Sequence, residues 1–426
     1  MRLIIKGGHV VCPSNGIDRP MDLIVENSII ASCGRNDASA GGADRIVDAT
    51  GMHILPGLMD MHVHLREPGE EYKETIETGT LAAAQGGFTD VACMPNTKLV
   101  NDNPAVTAYI LEKARQAGHC RVHPVCAITP GLSGKGLSEF GLLAAAGAVA
   151  ASDDGKSVAD AGLMRRALEY AATFNLPVLC HCEDVSLCEG AVMHEGSVST
   201  AMGLAGIPAA AEWVVVERDI SLARLTGARI HICHVSTRQS VEAIRRAKAA
   251  GVPVTAETAP HYFTITHRAV AGYNTFAKVN PPLREQADVD AVIQGLADGT
   301  IDAIATDHAP HSPIEKAVEF DLAAFGMVGL ETAVPLALAL VHKKALNLMQ
   351  LAEKMSLNPR KILNIEAPGI RPGAPADLTI LDIKRSFKIN PAIFASKSKN
   401  TPFGGMELTG AVAVTIFGGR VIFESL

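Results

Sequence analysis

The chain has 426 residues, 48% of them hydrophobic and 19% charged, which gives ample material for a large core and no compositional case for disorder. Its 38 Lys and Arg against 45 Asp and Glu leave a net charge of -7, which argues against non-specific binding to nucleic acid or acidic membranes, and 4% aromatics offer little for a base-stacking platform. No apolar run reaches the roughly 18 residues that a transmembrane helix needs.

At the start, MRLIIKGGHVVCPS lacks the apolar core and small-residue cleavage site of a secretory leader, and reads as a strand. DLIVENSIIASCG and DRIVDATGMHILP continue in the same style, short β-branched runs broken by Gly, Asn and Asp. From about residue 55 the texture changes. Apolar runs at 58–65, 88–96, 121–129, 147–154, 177–183, 229–236, 253–261 and 302–310 alternate with stretches such as PAVTAYILEKARQAG and TRQSVEAIRRAKAAG. The latter carry apolar residues at helical spacing and end at Gly. Strand–helix alternation predicts parallel strands, and eight of them predict a (β/α)8 barrel of the TIM type. An open doubly wound sheet is the competing arrangement, disfavoured because no G-x-G-x-x-G opens a helix after the first strand. From Ala374, ADLTILDI, GAVAVTIFGG and RVIFES return to the opening style. The expected α/β organisation is therefore a barrel over 55–365 and a small composite β-sandwich from 1–54 and 366–426. Nine scattered Cys, an odd number, fit the reduced thiols of a cytoplasmic protein better than a disulfide framework.

Nearly every expected strand ends in a ligand-type residue: His62 and His64, Asn96, Asp154, His181, His234, His261, Asp307 and His311. A parallel barrel gathers the C-terminal ends of its strands at one face, where active sites lie. His62 and His64 stand two apart, so both imidazoles face the mouth. An H-x-H pair alone is a weak signal, and buried hydrogen-bonded histidines are the plain alternative. Joined by His181, His234 and Asp307, the pair predicts a metal centre, with zinc favoured over manganese, cobalt or iron. Asp153 and Asp154 compete as a carboxylate bridging two ions, since neighbours on a strand face opposite ways. No Lys occurs in 141–154, and Lys156 beyond it reads as a loop residue. Asp307, in contact with a metal-held water, is suited to act as general base and then acid; the metal lowers that water's pKa towards about 7, giving a hydroxide that attacks a carbonyl.

The stretch DMHVHLREPGEEYKE (60–74) resembles the D-x-H-x-H-x-R-E-P-G signature of the dihydroorotase family of cyclic amidohydrolases. MPNT (94–97), SDDG (152–155), CHCED (180–184), CHVS (233–236), ETAPHY (257–262), KVNPPLR (278–284), ATDHAPH (305–311) and FGMVGLET (325–332) are similar to further family stretches, so the likeness spans essentially the whole chain. It implies the reversible cyclisation of N-carbamoyl-L-aspartate to L-dihydroorotate in pyrimidine biosynthesis, with two zinc ions per subunit. Carried over, His62, His64 and Asp307 hold one zinc and His181 and His234 the other. Asp154, immediately before the Gly of SDDG, bridges them. The missing Lys resembles bacterial members with Asp at the bridge rather than a carboxylated Lys. The resemblance further implies that Arg66, Asn96 and His311 bind the substrate carboxylate, for which a planar guanidinium is suited. Asn280 is implied to bond the ring amide, Gly326 to offer backbone groups to the ring, and Asp307 to be the general acid/base. A cytoplasmic homodimer, with association with aspartate transcarbamoylase, is the family expectation.

Each assignment has a plainer alternative. Arg66 has Glu67 and Glu70 as ion-pair partners, Asn96 can cap a turn, and Asn280 stands before two prolines. His261 and His308 read as supporting residues. Strand alternation points Cys180, Cys182 and Cys233 away from the mouth. Segment 311–330 is expected to close over the substrate, an ordinary surface connection being the alternative. An allantoinase or hydantoinase would keep the metal ligands and lose the carboxylate clamp, against which Arg66 and the missing Lys speak. A non-catalytic partner of aspartate transcarbamoylase would be free to lose ligands, yet all six are present.

Overall fold

Turn residues divide the first 56 positions into β1 (Arg2–Cys12), β2 (Ile17–Glu26), β3 (Ile29–Gly34), β4 (Arg45–Asp48) and β5 (His53–Pro56). The computed structural model describes residues 1–34 and 42–425. Next come β6 (Leu58–Val63), β7 (Phe88–Cys93), β8 (Arg121–Cys126), β9 (Ala150–Ser152) and β10 (Val178–Cys180). A two-residue pair, β11 (Met193–His194) and β12 (Gly206–Ile207), precedes β13 (Ile230–Ile232), β14 (Val254–Thr258) and β15 (Ala303–Ile304). The chain ends in β16 (Leu378–Lys388), β17 (Glu407–Phe417) and β18 (Arg420–Glu424).

β6–β10 and β13–β15 pair in parallel in chain order, and a parallel bridge from Val63 to His308 brings the last back to the first. The result is the expected (β/α)8 barrel. The second sheet runs β18-β17-β16-β5-β1-β2-β3, with β4 on β1, and its antiparallel β16–β5 pairing joins the two ends of the chain.

Local chemistry sets where the helices between barrel strands start and stop. Asn103, Asp160 and Thr237 each accept a backbone N–H ahead of Pro104–Ala117, Ala161–Thr173 and Arg238–Ala249. On the last of these Val241, Ile244 and Ala247 are buried three apart, so one face lies against the barrel. Strand alternation makes two cores. Met59, Met61, Ala92, Val125, Leu179 and Ala303 fill the barrel interior. Leu58, Val91, Val178, Ile230 and Ile232 face the helices.

The barrel base is held by charge. Arg360 donates to Gly57 O at 2.9 Å and to Asp90 Oδ2 at 2.6 Å, while Arg121 spans Asp90 Oδ1 at 3.0 Å and Asp377 Oδ2 at 2.6 Å, just ahead of β16. No helix among the described residues is long and apolar enough to cross a membrane. Among the described residues Cys12, Cys93, Cys120, Cys126, Cys180, Cys182, Cys188 and Cys233 are free thiols.

Candidate active site

The mouth is built by local departures from regular strand. Between Asp60 and Val63 the β6–β7 register slips by one residue, a bulge that changes the phase after the inward Met59 and Met61, so that Val63 packs in the outer core and His62 and His64 lie at the mouth. Arg66, His234 and Asp307 have φ of 61°, 35° and 50°, so left-handed turns rather than strand alternation aim them inward. Gly69, in the turn after Arg66, has φ of 101°, and a Cβ there would lie 1.8 Å from Lys98 O.

Six side chains converge. His62 Nε2 stands 3.2 Å from Asp154 Oδ1, and His64 Nε2 stands 3.2 Å from Asp307 Oδ1 and 3.5 Å from Asp154 Oδ2. His181 Nδ1 and His234 Nε2 lie 2.9 Å apart and 3.7 and 3.6 Å from Asp154 Oδ1. Asp154 is thus the carboxylate common to all four imidazoles. Asp153 turns away to the Thr129 N–H and hydroxyl, and Lys156 is an exposed loop residue.

This donor set fits a metal. His62 Nε2 and Asp154 Oδ1 are buried, face each other and have no hydrogen-bond partner. Imidazole nitrogens and carboxylate oxygens of His62, His64 and Asp307, and of His62, Asp154 and His234, lie close enough to share an ion. The electrostatics agree. Burial alone would depress the His62 imidazole, yet Asp154 and Glu257 hold it well above its ordinary value. Burial would likewise raise Asp307, but His64, His62 and His234 hold it well below the usual carboxylate range.

The opposite wall is cationic. Arg66 is buried, its Nε donating to Pro310 O at 3.2 Å and its Nη2 lying 3.3 Å from His311 Nε2. His311 Nε2 donates to Phe325 O at 2.7 Å. Burial, with Arg66, Lys316 and Lys73 nearby, pushes His311 down to about 2, so it is neutral at pH 7. The His64 Nδ1–H donates to Asn96 Oδ1 at 2.9 Å, which turns the His64 Nε2 lone pair towards the carboxylates. Asn280 donates from Nδ2 to Glu183 Oε1 at 3.1 Å. Gly326, with φ of 130°, lies so close to Ala309 and His311 that a Cβ would sit 2.7 Å from the Ala309 methyl. A cavity of about 240 Å³ lies among these groups, lined by every site residue expected from the sequence except His62, which lies beneath it.

Sequence reading missed several partners. Glu257 sits between His62 Nδ1 at 2.6 Å and His231 Nε2 at 3.3 Å, fixing the His62 ring from below. Glu183 faces both His181 and Asn280. Both stood in quoted motifs as carboxylates at strand ends, the one signal available. Cys233 corrects an expectation: it packs in the barrel interior beside His62 and Glu257, because the turn at His234 follows an inward residue. Cys180 and Cys182 do lie in the outer core. His308 supports His64 by accepting its backbone N–H at 2.9 Å, and His261 is buried and pushed down by that burial to about 4. Elsewhere His194, His267 and Glu285 also cluster, but Arg284 donates to His194 Nδ1 at 3.2 Å, which leaves Nε2 protonated and unsuited to a metal.

The architecture matches solved structures of cyclic-amide hydrolases. An L-hydantoinase (dihydropyrimidinase) from Arthrobacter aurescens superposes with a TM-score of 0.88 at 26% identity, over 99% of this chain and 96% of that one. The dihydropyrimidinase of Brevibacillus agri, at a TM-score of 0.83 and 22% identity over 100% and 95%, shares the fold. Fold and site thus define a cyclic amide hydrolase on an amidohydrolase barrel. A family model described as dihydro-orotase-like matches residues 51–240. The dihydroorotase of Desulforapulum autotrophicum is 54% identical over 100% of this chain and 99% of its own, and that of Geobacter metallireducens 54% identical over 100% of both. The chain belongs to the dihydroorotase family.

Proposed function

We propose that the protein is a zinc-dependent dihydroorotase, interconverting N-carbamoyl-L-aspartate and L-dihydroorotate in de novo pyrimidine synthesis. The observation that carries this reading is one small cavity with a four-His, two-Asp cluster on one wall and the Arg66–His311 pair on the other. His62, His64 and Asp307 would hold one zinc, His181 and His234 a second, with Asp154 between them. Zinc bound there supplies Lewis acidity, polarising the scissile carbonyl and acidifying a water. Arg66, neutral His311 and Asn96 hold the substrate carboxylate, Arg66 as the charged partner. That fixes the ring's orientation and brings its amide carbonyl towards the histidines. Asn280 bonds the ring amide and the Gly326 backbone abuts the ring.

Asp307, ionised at neutral pH, takes a proton from the attacking water as the new C–O bond forms. It returns that proton to the ring nitrogen as the C–N bond breaks. In the cyclising direction Asp307 takes the proton of the ureido nitrogen as that nitrogen attacks the side-chain carboxyl, and gives it to the departing oxygen as the C–O bond breaks. We also assign 1–54 and 366–426 to one composite β-domain and 55–365 to the barrel. The eight free thiols from Cys12 to Cys233, Cys33 left aside, support a cytoplasmic setting for the enzyme, which we take to be a homodimer.

The test is turnover in both directions by purified protein before and after chelation and zinc restoration. Chelation is expected to abolish activity and zinc to restore it. Asp307→Asn is expected to lower kcat by about 10²–10⁴-fold, the usual worth of a general acid/base. Turnover of uncharged cyclic ureides with none of dihydroorotate would support a hydantoinase instead. Full metal content with no turnover would support a non-catalytic partner.

A further inference from the structure

Glu183 stands behind two of the residues that line the cavity, two residues past His181, on backbone that is clamped. Its N–H donates to Ser157 Oγ at 2.7 Å, and the Ser157 hydroxyl donates to His181 O at 2.6 Å. Its carboxylate faces two groups that line the site. Oε1 accepts from Asn280 Nδ2 at 3.1 Å, and Oε2 lies 3.5 Å from His181 Nε2.

A carboxylate has only acceptors to offer. Asn280 must therefore give Glu183 its NH2 end, which leaves Oδ1 facing away; that oxygen is buried and without a partner. An amide fixed this way round presents an acceptor, and the matching group on a cyclic ureide is a ring N–H. Turned by half a rotation, the same amide would present N–H to N–H. The same anion favours the proton on His181 Nε2, which frees the Nδ1 lone pair facing Asp154 and His234.

We infer that Glu183 is a positioning residue, which orients the Asn280 amide as acceptor for a substrate ring N–H and sets the His181 tautomer from behind. The inference rests on the dihydroorotase reading for its substrate, but its His181 half does not. Glu183 is not among the residues lining the cavity, and acts through Asn280 and His181.

Glu183→Gln is the discriminating variant. A Gln carboxamide cannot accept from both neighbours, so Asn280 or His181 must reorient. The experiment measures KM and kcat for L-dihydroorotate in wild type, E183Q, N280A and the double variant, with zinc affinity and thermal unfolding measured on each. E183Q is expected to raise KM about tenfold and weaken zinc about tenfold, in the range typical for residues that orient ligands. In the N280A background the KM effect of E183Q is expected to fall below about twofold, since coupled residues share one effect. A KM rise undiminished in N280A overturns the Asn280 role, and unchanged zinc affinity overturns the His181 role. Should E183Q not fold, Glu183→Asp withdraws the carboxylate by one carbon, and wild-type KM and zinc affinity in that variant overturn both. Absence of dihydroorotate turnover in wild type would fault the substrate reading alone, and zinc affinity in E183Q would still decide the His181 half.

Discussion

Arg66 is buried at the cavity wall with no carboxylate among the described residues hydrogen-bonded to it, its guanidinium anchored to a backbone carbonyl and set against His311. Such a cation is held ready for an anion from outside. Because one charge-assisted hydrogen bond is worth about 1.5–3 kcal/mol, Arg66→Met is expected to raise KM for dihydroorotate about 10–100-fold, as steady-state kinetics would read. An unchanged KM would remove Arg66 from the carboxylate site. At this scale the sequence was legible where a residue type and a strand end coincide, as at His62, His64 and Asp307. It was not legible for Glu257, which acts on His62 across 195 positions. Nor could alternation place Cys233, because the left-handed residue beside it resets which way neighbours point.

Among elements, the segment after Asp307 lines the cavity with His311, Phe325 and Gly326. It is tied down by two buried lysines that have no ion-paired carboxylate among the described residues. Lys316 Nζ donates to Thr275 O at 2.9 Å, Ala324 O at 2.6 Å and Lys278 O at 3.3 Å. Lys278 Nζ donates to Phe320 O at 2.7 Å and Asp321 O at 3.0 Å, and sits 4.4 Å from the centre of the Phe325 ring. Together they stitch the strip carrying Asn280 to the strip carrying Phe325 and Gly326. Lys316→Met would take the side-chain donor from Ala324 O, while Thr275 O and Lys278 O keep the backbone N–H groups of Lys278 and Gly326; at about 1–3 kcal/mol for a buried unpaired group, a stability loss of about 1–3 kcal/mol is expected in urea unfolding. Faster proteolysis within 313–324 should accompany it. The eight barrel strands were legible because each is an apolar run between turn residues. Their ends were not: the run 147–154 yields only Ala150–Ser152 as strand, since the following aspartates leave it to meet Thr129 and the histidines. The β11–β12 pair, two residues each, is too short for periodicity to mark.

For the whole molecule, the charged base of the barrel and its mouth do different work. Burial alone would raise the Asp90 carboxyl, but the Arg360 guanidinium, His123 and Arg121 hold it far below the usual range. A depressed carboxylate contributes stability that is complete above its unfolded value, about 4, and is lost as pH falls towards the folded one. Asp90→Asn is therefore expected to cost about 3 kcal/mol at pH 7, by leaving Arg360 buried without its partner, and to flatten the acid limb of the stability profile. Unfolding midpoints from pH 7 down to about 3 would check both. The union of the two chain ends in one sheet was legible from their shared β-rich style, whereas the Asp90–Arg360–Arg121–Asp377 link beneath the barrel was not, because its members lie far apart in sequence. We propose that six side chains from His62 to Asp307 hold the metal. Anomalous diffraction at the zinc edge from zinc-loaded crystals tests it most directly. Two peaks are expected, one beside His62, His64 and Asp307 and one beside His181 and His234, with Asp154 between them. No peak at the barrel mouth, or zinc bound only elsewhere, would contradict the account.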